Sequence, residues 1–363
     1  MSVNPGGSIS AYSARQLDLN GTLIARGGEV ALSGGNYEDK GLSGEEVYDP
    51  ARSLHVGATA LIDVSGVAVY DPNPVAGRLT GKVLDGGSLA LDAGEGWLLV
   101  DAGAQLLARG TSATLDVGQA GQTQQRQTVA TRGGDMAFTS RYGMWIDGTL
   151  DARAGSADMA NGSLRVEQQE GVHIKPMQSS STDNWLVTPA TVVLTQTQAD
   201  HAGSTPTLDD DLGLARISAQ TITQGGFDNV ALVSGAGVNV AAAHAIRFDG
   251  DVALNVRGTL QLDAPNLVSN GGTQTLRAAT VQIGDLSNQR GRAVDVGTDA
   301  PAQGSAPAQL NAALAEAALS LLRDPALAQD MGRRGRLRLR GEGARQGAHD
   351  DQGDADGGHV AAS

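Results

Sequence analysis

Hydrophobic residues alternate with polar ones in short runs along most of this chain, and glycine, asparagine or aspartate separates the runs. In residues 6–28, "GGSISAYSARQLDLNGTLIARGG", Leu17 and Leu19 flank a polar position, and Gly21 follows Asn20. A period of two residues is the signature of a strand with one buried face. Glycine after asparagine or aspartate is typical of tight turns. The pattern therefore predicts short strands joined by compact corners.

The pattern of residues 6–28 recurs twice. Residues 133–155, "GGDMAFTSRYGMWIDGTLDARAG", align with it at an offset of 127 positions without a gap. Residues 86–110, "GGSLALDAGEGWLLVDAGAQLLARG", align at an offset of 80, which places Trp97 on Leu17 and Leu99 on Leu19, and their last three residues come three positions late. Each copy holds about three strands, and tandem units of this kind build solenoids in which one unit stacks on the next.

Further alternating runs cover residues 60–69, 162–174, 215–267 and 274–284. No helical period separates them, which excludes a βαβ fold and leaves a sandwich, a propeller or a solenoid. Units of twenty-odd residues favour an all-β fold with a parallel β-helix over residues 1–290, and a β-sandwich is the main alternative. At that unit size we expect roughly fourteen layers, stacked about 4.8 Å apart.

Three stretches break the alternation and predict loop insertions at about 36–55, 70–85 and 176–212. They collect tyrosine, tryptophan, proline and acidic residues in a chain that has only 3% aromatic residues. Long loops on a regular scaffold are where recognition usually resides. Loops that merely cover the edges of a solenoid would have the same composition, so the sequence leaves both interpretations open.

The pattern changes after residue 290. Residues 291–306 predict a linker, and residues 307–340 predict a helical segment that is rich in alanine and leucine and then strongly basic. Residues 341–363 are rich in glycine and aspartate, which predicts a disordered tail.

Composition narrows the classes of function. The 363 residues carry a net charge of −14, which disfavours nucleic acid and anionic membrane as partners. The chain has no cysteine, so it has neither disulfides nor thiol chemistry. No run approaches the roughly 20 apolar residues of a membrane span, and no signal peptide is visible. Because the sequence opens inside a repeat, we expect it to be part of a longer protein.

The acidic residues predict turns more than catalysis. A β-helix enzyme that acts on sugars would need several carboxylates converging on one face. Most acids here instead stand at strand ends or beside glycine, where aspartate bonds its own backbone. We therefore expect a corner-forming role for Asp63, Asp101, Asp116, Asp147 and Asp151.

No catalytic, cofactor-binding or metal-binding residues are predicted. There is no HExxH, no His-x-His pair and no G-x-S-x-G. The acidic runs at 207–213 and 349–359 could hold a cation, but a solvated loop and a disordered tail are the favoured interpretations. The glycosylation sequons at Asn20 and Asn161 are interpreted as turns. We expect surface or loop positions for the six histidines: His55, His173, His201, His244, His349 and His359.

Several phrases resemble a known family. They are "GATALIDVSG" (57–66), the repeat at 86–110, and "ARISAQTITQGGFDNVALVSG" running into "IRFDGDVALNVRGTLQLDAP". Over about residues 1–290 the chain resembles the filamentous haemagglutinin-type exoproteins and adhesins of Gram-negative two-partner secretion systems, and specifically a late-chain domain of unknown function. The family's amino-terminal secretion module and an Arg-Gly-Asp tripeptide have no counterpart in this sequence.

The resemblance implies a right-handed parallel β-helix and a non-catalytic segment of a secreted or cell-surface adhesin. It also implies export through an outer-membrane transporter, and surface glycans or proteins of host or bacterial cells as partners. Two alternatives stay open. One is a carbohydrate-active β-helix enzyme, a polysaccharide lyase or hydrolase, and the other is an inactive gene fragment.

Overall fold

The computed structural model describes residues 1–34, 48–72, 77–118, 125–170, 189–197, 201, 204–235 and 244–284, together with a short strand at 338–339. Within these ranges the chain consists mostly of short strands, which confirms the all-β expectation. The predicted linker at 291–306, the tail at 341–363 and all of 307–340 except the short strand lie outside the described residues.

Three parallel sheets contain most of the strands. The first sheet holds nine, in this spatial order: β1 (Ser8–Ser13), β4 (Glu29–Gly34), β9 (Ser88–Asp92), β14 (Asp135–Ser140), β17 (Ser163–Gln168), β20 (Asn229–Ser234), β23 (Thr259–Asp263), β26 (Thr280–Gly284) and β27 (Arg338–Leu339). The second sheet holds eight: β2 (Gln16–Leu19), β5 (Ser53–Val56), β10 (Trp97–Val100), β15 (Gly143–Ile146), β19 (Leu214–Ser218), β18 (Thr191–Thr195), β21 (Ala245–Asp249) and β24 (Asn266–Asn270). The third holds four: β3 (Thr22–Ile24), β6 (Leu61–Asp63), β11 (Gln105–Leu107) and β16 (Thr149–Asp151).

Three smaller pairs complete the β-structure. The strands β22 (Val252–Asn255) and β25 (Gln274–Arg277) are parallel to each other. Two antiparallel hairpins are formed by β7 (Val67–Tyr70) with β8 (Gly81–Leu84), and by β12 (Ser112–Val117) with β13 (Gln125–Ala130).

The chain visits the three sheets in a fixed order, and we call each such visit a layer. The first four layers are β1-β2-β3, β4-β5-β6, β9-β10-β11 and β14-β15-β16. Ser8, Glu29, Ser88 and Asp135 stand in register across them. The three sequence copies are therefore layers one, three and four. The sequence comparison did not identify layer two because residues 35–52 separate its first strand from its second.

The alignment of the second copy is wrong by one residue in its middle strand. The register places Leu98, not Trp97, in line with Leu17 through Leu54. The side chain of Leu98 is fully buried in the main core, whereas Leu99 points to the opposite face of the sheet. The first extra residue of this copy is thus inserted before β10 rather than after it.

The regular order changes after the fourth layer. Strand β18 lies between β19 and β21, although it precedes both in the chain, and it falls within the stretch predicted as a loop insertion at 176–212. On the side of the third sheet, the helix α2 (Ala219–Gly225) packs between β16 and β22. A strand was predicted there. The helix forms because the Ser218 side chain caps its first turn and Gly226, with φ of 69°, ends it.

One hydrophobic cluster joins the three sheets. It contains inward-facing residues of every layer, and most of them are leucine, isoleucine and valine. Aromatic side chains contribute little to it, which agrees with their scarcity in the sequence. The interior is therefore a narrow aliphatic core built from one or two residues per strand.

Stacked glycines explain the repeated Gly-Gly pairs. Gly28, Gly87, Gly134 and Gly162 each precede a strand of the first sheet. A Cβ atom on Gly87 would overlap the carbonyl oxygen of Gly28, and a Cβ on Gly134 would overlap that of Gly87. The layers can approach to sheet spacing at this corner only because the residues are glycine.

The expectation of roughly fourteen layers is wrong for the described chain. The second sheet has eight strands, which at about 4.8 Å between neighbours gives a stack about 35 Å long. The sequence estimate was too high because hairpins and long connections consume residues that a repeat of twenty-odd residues would assign to layers.

Candidate functional site

Three of the longer connections run from the first sheet to the second. We call the junction from the first sheet to the second the first corner. The stretches 35–47, 171–188 and 236–243 connect β4 to β5, β17 to β18 and β20 to β21, so all three lie in the connections at the first corner. They are outside the described residues themselves. The predicted insertion at 36–55 and the first part of that at 176–212 thus share a corner. The rest of the second insertion contains β18 and its connection to β19 within the second sheet, and 70–85 contains part of a hairpin between the third sheet and the first.

An aromatic cluster lies at the first corner, outside the main core. It consists of Tyr48, Trp97 and Tyr142, and Leu212 packs with them. The ring of Tyr142 lies 5.2 Å from that of Tyr48 and 5.8 Å from that of Trp97, measured between centroids. Burial raises the pKa of the Tyr48 hydroxyl. Because Tyr48 directly follows residues 35–47, the cluster holds the end of that connection against the stack.

Charged residues surround the aromatic cluster. The Glu95 carboxylate is 2.9 Å from Nη1 of Arg141 and 4.0 Å from Nη1 of Arg52. The Glu95 and Arg52 side chains are only 13% and 8% exposed. A buried charge is tolerated when it is paired, and a buried pair of this kind adds little net stability.

A buried pair of polar side chains, Glu170 and His244, joins the start of the second connection to the end of the third. Glu170 directly precedes residues 171–188, and His244 directly follows residues 236–243. Nε2 of His244 lies 3.3 Å from a carboxylate oxygen of Glu170, with side-chain exposures of 2% and 5%. Nδ1 of His244 accepts the backbone N–H of Ala190 at 3.0 Å, which leaves the ring proton on Nε2. The 3.3 Å contact between Nε2 and Glu170 does not have the geometry of a hydrogen bond. His244 lies in a connection directly before β21, as expected for a loop residue, but it is buried and not at the surface.

The outer face of the second sheet brings imidazole and carboxylate groups together. Nδ1 of His55 is 3.3 Å from Asp18, and Nε2 is 3.0 Å from Asp101. These three side chains come from the first three layers and are 26–43% exposed. A neutral imidazole has one N–H and donates to only one of the two carboxylates.

A similar pair lies further along the same sheet. Asp147 accepts hydrogen bonds from the backbone N–H and Nδ1 of His201, at 3.0 and 2.9 Å. The His201 ring stacks on Trp145, with 4.3 Å between centroids. Asp147 is 5% exposed, so its carboxylate is occupied by the segment that crosses it. Asp101 and Asp147 therefore bind residues of neighbouring segments.

Other predicted corner residues behave as expected. Asp63 accepts a hydrogen bond from the N–H of Ser65, and Asp151 accepts one from that of Arg153. Both aspartates end a strand of the third sheet, and the bonds close their corners. Burial raises the pKa of Asp63, but the hydrogen bonds from Ser65 and Arg26 outweigh this and lower it below its ordinary value. The corner role is confirmed for Asp63 and Asp151.

Asp116 links the two hairpins instead of forming a corner. Its carboxylate accepts the backbone N–H of Leu79 at 2.6 Å and two hydrogen bonds from Arg126 at 2.9 and 3.0 Å. Leu79 belongs to the connection of the first hairpin, and Arg126 to the second. The hydrogen bonds from Arg126 and Leu79 lower the pKa of Asp116 to about 2.

The acidic run at 207–213 and the two sequon asparagines make local contacts or lie at the surface. Within 207–213 the chain forms the short helix α1 (Leu208–Asp211), whose Asp211 pairs with Arg216. The amide of Asn161 binds Asp228 and the N–H of Ala154, as a turn residue does, and Asn20 is exposed. His173, His349, His359 and the run at 349–359 lie outside the described residues.

In the described ranges no three His, Asp or Glu side chains come together in a way that would hold a metal ion. No helix in those ranges is both long and apolar enough to cross a bilayer. The chain matches no family model, no curated protein and no solved structure.

Proposed function

We propose that this chain is a non-catalytic segment of a secreted or cell-surface adhesin of the filamentous haemagglutinin type. In this proposal the three parallel sheets are the faces of a right-handed parallel β-helix. The helix acts as a rod, and the first corner acts as its interaction surface. Export of the longer protein would use an outer-membrane transporter, and the partners would be glycans or proteins on host or bacterial cells.

The observation that carries the proposal is that the regular layers and the long connections are separate parts of the fold. The layers are held by a continuous aliphatic core and by stacked glycines, which build length and surface rather than a pocket. Three long connections join the first sheet to the second, and the residues that flank them, Tyr48, Glu170 and His244, are buried against the stack. Repeated layers that present loops along one side form an extended binding surface.

Adhesion is tested with beads that carry the full chain at high and low density. We expect retention on cell layers that rises steeply with density, because such contacts are multivalent and individually weak. Replacing residues 36–47 with a Gly-Ser-Gly linker should lower retention. Replacing residues 73–76 in the hairpin on another corner is the matched control and should leave it unchanged. Retention no greater than that of albumin-coated beads, or equal loss in both variants, would contradict the proposal.

The rod itself is tested separately by cryo-electron microscopy of the same protein. A three-sided coil with one turn per layer and right-handed progression is expected. Sheets that face each other as a sandwich without a common coil would overturn the β-helix, whatever the adhesion assay gives.

A polysaccharide-cleaving enzyme is the second candidate, and the outer face of the second sheet favours it. His55–Asp101 and His201–Asp147 are two imidazole–carboxylate pairs on neighbouring layers, a set from which acid and base catalysts are drawn. The low exposure of Asp147 argues against this role. Incubation of the chain with acidic and neutral polysaccharides, followed by a reducing-end assay, decides between the two. Cleavage that is lost in Asp101→Asn would replace the adhesin proposal with an enzyme.

A further inference from the structure

The hairpin of β12 and β13 has a strand edge that is open to solvent. This hairpin lies in the middle of the chain, between β11 of the third sheet and β14 of the first. Within the described residues β13 pairs only with β12. Its residues Gln125–Thr128 are all exposed. The side of β13 that faces away from β12 is therefore accessible to another strand.

The hairpin register shows which backbone groups face this open edge. The N–H of Thr131 donates to the carbonyl oxygen of Thr111, and hydrogen-bonded pairs alternate with non-hydrogen-bonded pairs from there. It follows that Arg126, Thr128 and Ala130 direct their N–H and C=O groups away from β12. In the described chain no other backbone group bonds to them. These are the groups that an added strand would pair with.

The edge of β13 lacks the features that keep edge strands apart. Natural edges carry charges, proline or a bulge that prevent pairing with another chain. The sequence of β13, "QRQTVA", has no proline, and its register with β12 is regular over six residues. Its one charged side chain, Arg126, is turned across β12, where it bonds Asp116 at 2.9 and 3.0 Å and the carbonyl oxygen of Gly77 at 3.2 Å.

The hairpin is also a neutral part of an acidic protein. Asp116 and Arg126 are the only charged residues in 111–131, and they pair with each other. The whole chain carries a net charge of −14, so two copies repel each other over most of their surface. At this hairpin they can approach without direct repulsion between its own residues.

We propose that two copies of this chain associate side by side through antiparallel pairing of their β13 edges, with Thr128 on the twofold axis. In this register Arg126 of each copy lies opposite Ala130 of the other, so each outward N–H meets an outward carbonyl oxygen. Gln127 lies opposite Val129, and no like charges are opposed. A pair centred on Arg126 would instead place two arginines opposite each other.

This register makes the edge complementary to itself, which favours a second copy over an unrelated strand. Thr128 meets its own counterpart, and a threonine pair is a favourable cross-strand contact. A closed twofold contact of this type yields a dimer and not a fibre.

The twofold axis at Thr128 provides a direct test with the full chain. The protein has no cysteine, so Thr128→Cys introduces one thiol per copy. Residues of a hydrogen-bonded antiparallel pair are about 5.5 Å apart at Cα, which a disulfide spans. Oxidation with copper phenanthroline should give a covalent dimer on a non-reducing gel.

Thr114→Cys is the matched control for this cross-link. Thr114 is the exposed partner of Thr128 within the hairpin, but it lies on β12 and away from the open edge. This variant should stay monomeric. A covalent dimer that forms equally in both variants, or in neither, would contradict the register.

The second test is sedimentation equilibrium of the unmodified chain, Thr128→Pro and Thr114→Pro. Proline is tolerated in an edge strand where its N–H would face away from the neighbouring strand, so both variants should keep the hairpin, and circular dichroism checks this. Thr128→Pro removes a donor at the centre of the dimer and should weaken dimerisation at least about tenfold, whereas Thr114→Pro should not change it.

A chain that is monomeric at every concentration overturns the proposal. So does a dimer that survives Thr128→Pro or is equally disrupted by Thr114→Pro. Pairing through this hairpin does not depend on the adhesin function, so the adhesion and cryo-electron microscopy tests are independent of this result.

Discussion

Gly87 lies directly against Gly28, so that a single added methyl group on Gly87 would occupy the space of the Gly28 carbonyl oxygen. The two residues are far apart in sequence and belong to consecutive layers. Their contact explains why each recognised copy of the repeat begins with two glycines.

Gly87→Ala should destabilise the fold strongly. The overlap involves backbone atoms of two layers, which cannot move aside as a flexible side chain would. We therefore expect a loss of about 3 kcal/mol in the free energy of unfolding, the upper end of the usual range for overpacking. Gly21→Ala is the control, because a Cβ there meets nothing within 4 Å. Urea denaturation followed by circular dichroism measures both. Equal stability of the two variants would contradict the stacked-glycine explanation.

Leu98→Ala and Leu99→Ala test the one-residue shift in the third layer. Leu98 is fully buried in the main core, so its truncation should cost about 2–5 kcal/mol. Leu99 is half-buried on the other face and should cost less. The sequence alignment at an offset of 80 predicts the reverse order. The denaturation midpoints of the two variants decide between the two registers, provided that the dependence of the unfolding free energy on denaturant concentration is the same in both.

The Asp116–Arg126 contact predicts a pH dependence for the hairpins. The pKa of Asp116 is lowered from 3.8 to about 2, so folding favours the carboxylate. The stabilising contribution is complete above the ordinary pKa and is lost as the pH falls through about 2. A carboxyl-carbon NMR titration should report this low pKa in the native protein.

Arg126→Gln should return the pKa of Asp116 towards its ordinary value, because the guanidinium is the main cause of the shift. Arg132→Gln is the control, since Arg132 pairs with Asp85 and not with Asp116. A pKa of Asp116 that is insensitive to Arg126→Gln would show that the contact is absent in solution.

The buried pair at the first corner predicts a large effect of a single substitution. In His244→Ala the Glu170 carboxylate would lose the imidazole beside it and the buried N–H of Ala190 would lose its acceptor, so we expect a loss of about 1–3 kcal/mol in the free energy of unfolding. Glu170→Gln removes the charge as well, so the double variant should lose less than the sum of the single variants. A thermodynamic cycle over the four proteins measures the coupling. Additive losses would mean that the two residues do not interact.

Much of the fold was predictable because its rules are local. Alternation places one side of each strand in the core, and glycine or aspartate marks each corner, so strands and corners can be recognised within a few residues. Asp63 and Asp151 bond to residues two positions further on, and their role follows from the sequence alone. The helix α2 was missed because the alternation of "ARISAQTITQ" continues into it without a visible break.

The arrangement at the candidate site could not be predicted in the same way. Glu170 and His244 are 74 positions apart, and nothing in either neighbourhood marks the other. His55 meets Asp18 and Asp101 only because their layers stack in one register. The sequence contained one signal of this site. Asp147 occupies the position of Asn20 in the repeat, which indicates a recurring polar residue directly after the strands of the second sheet.

The sequence by itself determined that this protein is built from repeated three-strand units with glycine at their corners, because both features depend on backbone geometry within a few residues. Only the tertiary structure decided the order of β18 and β19, the side to which Trp97 points, and which charged groups meet. These depend on how one layer settles on the next, and a shift of one residue exchanges the buried and exposed faces of a strand.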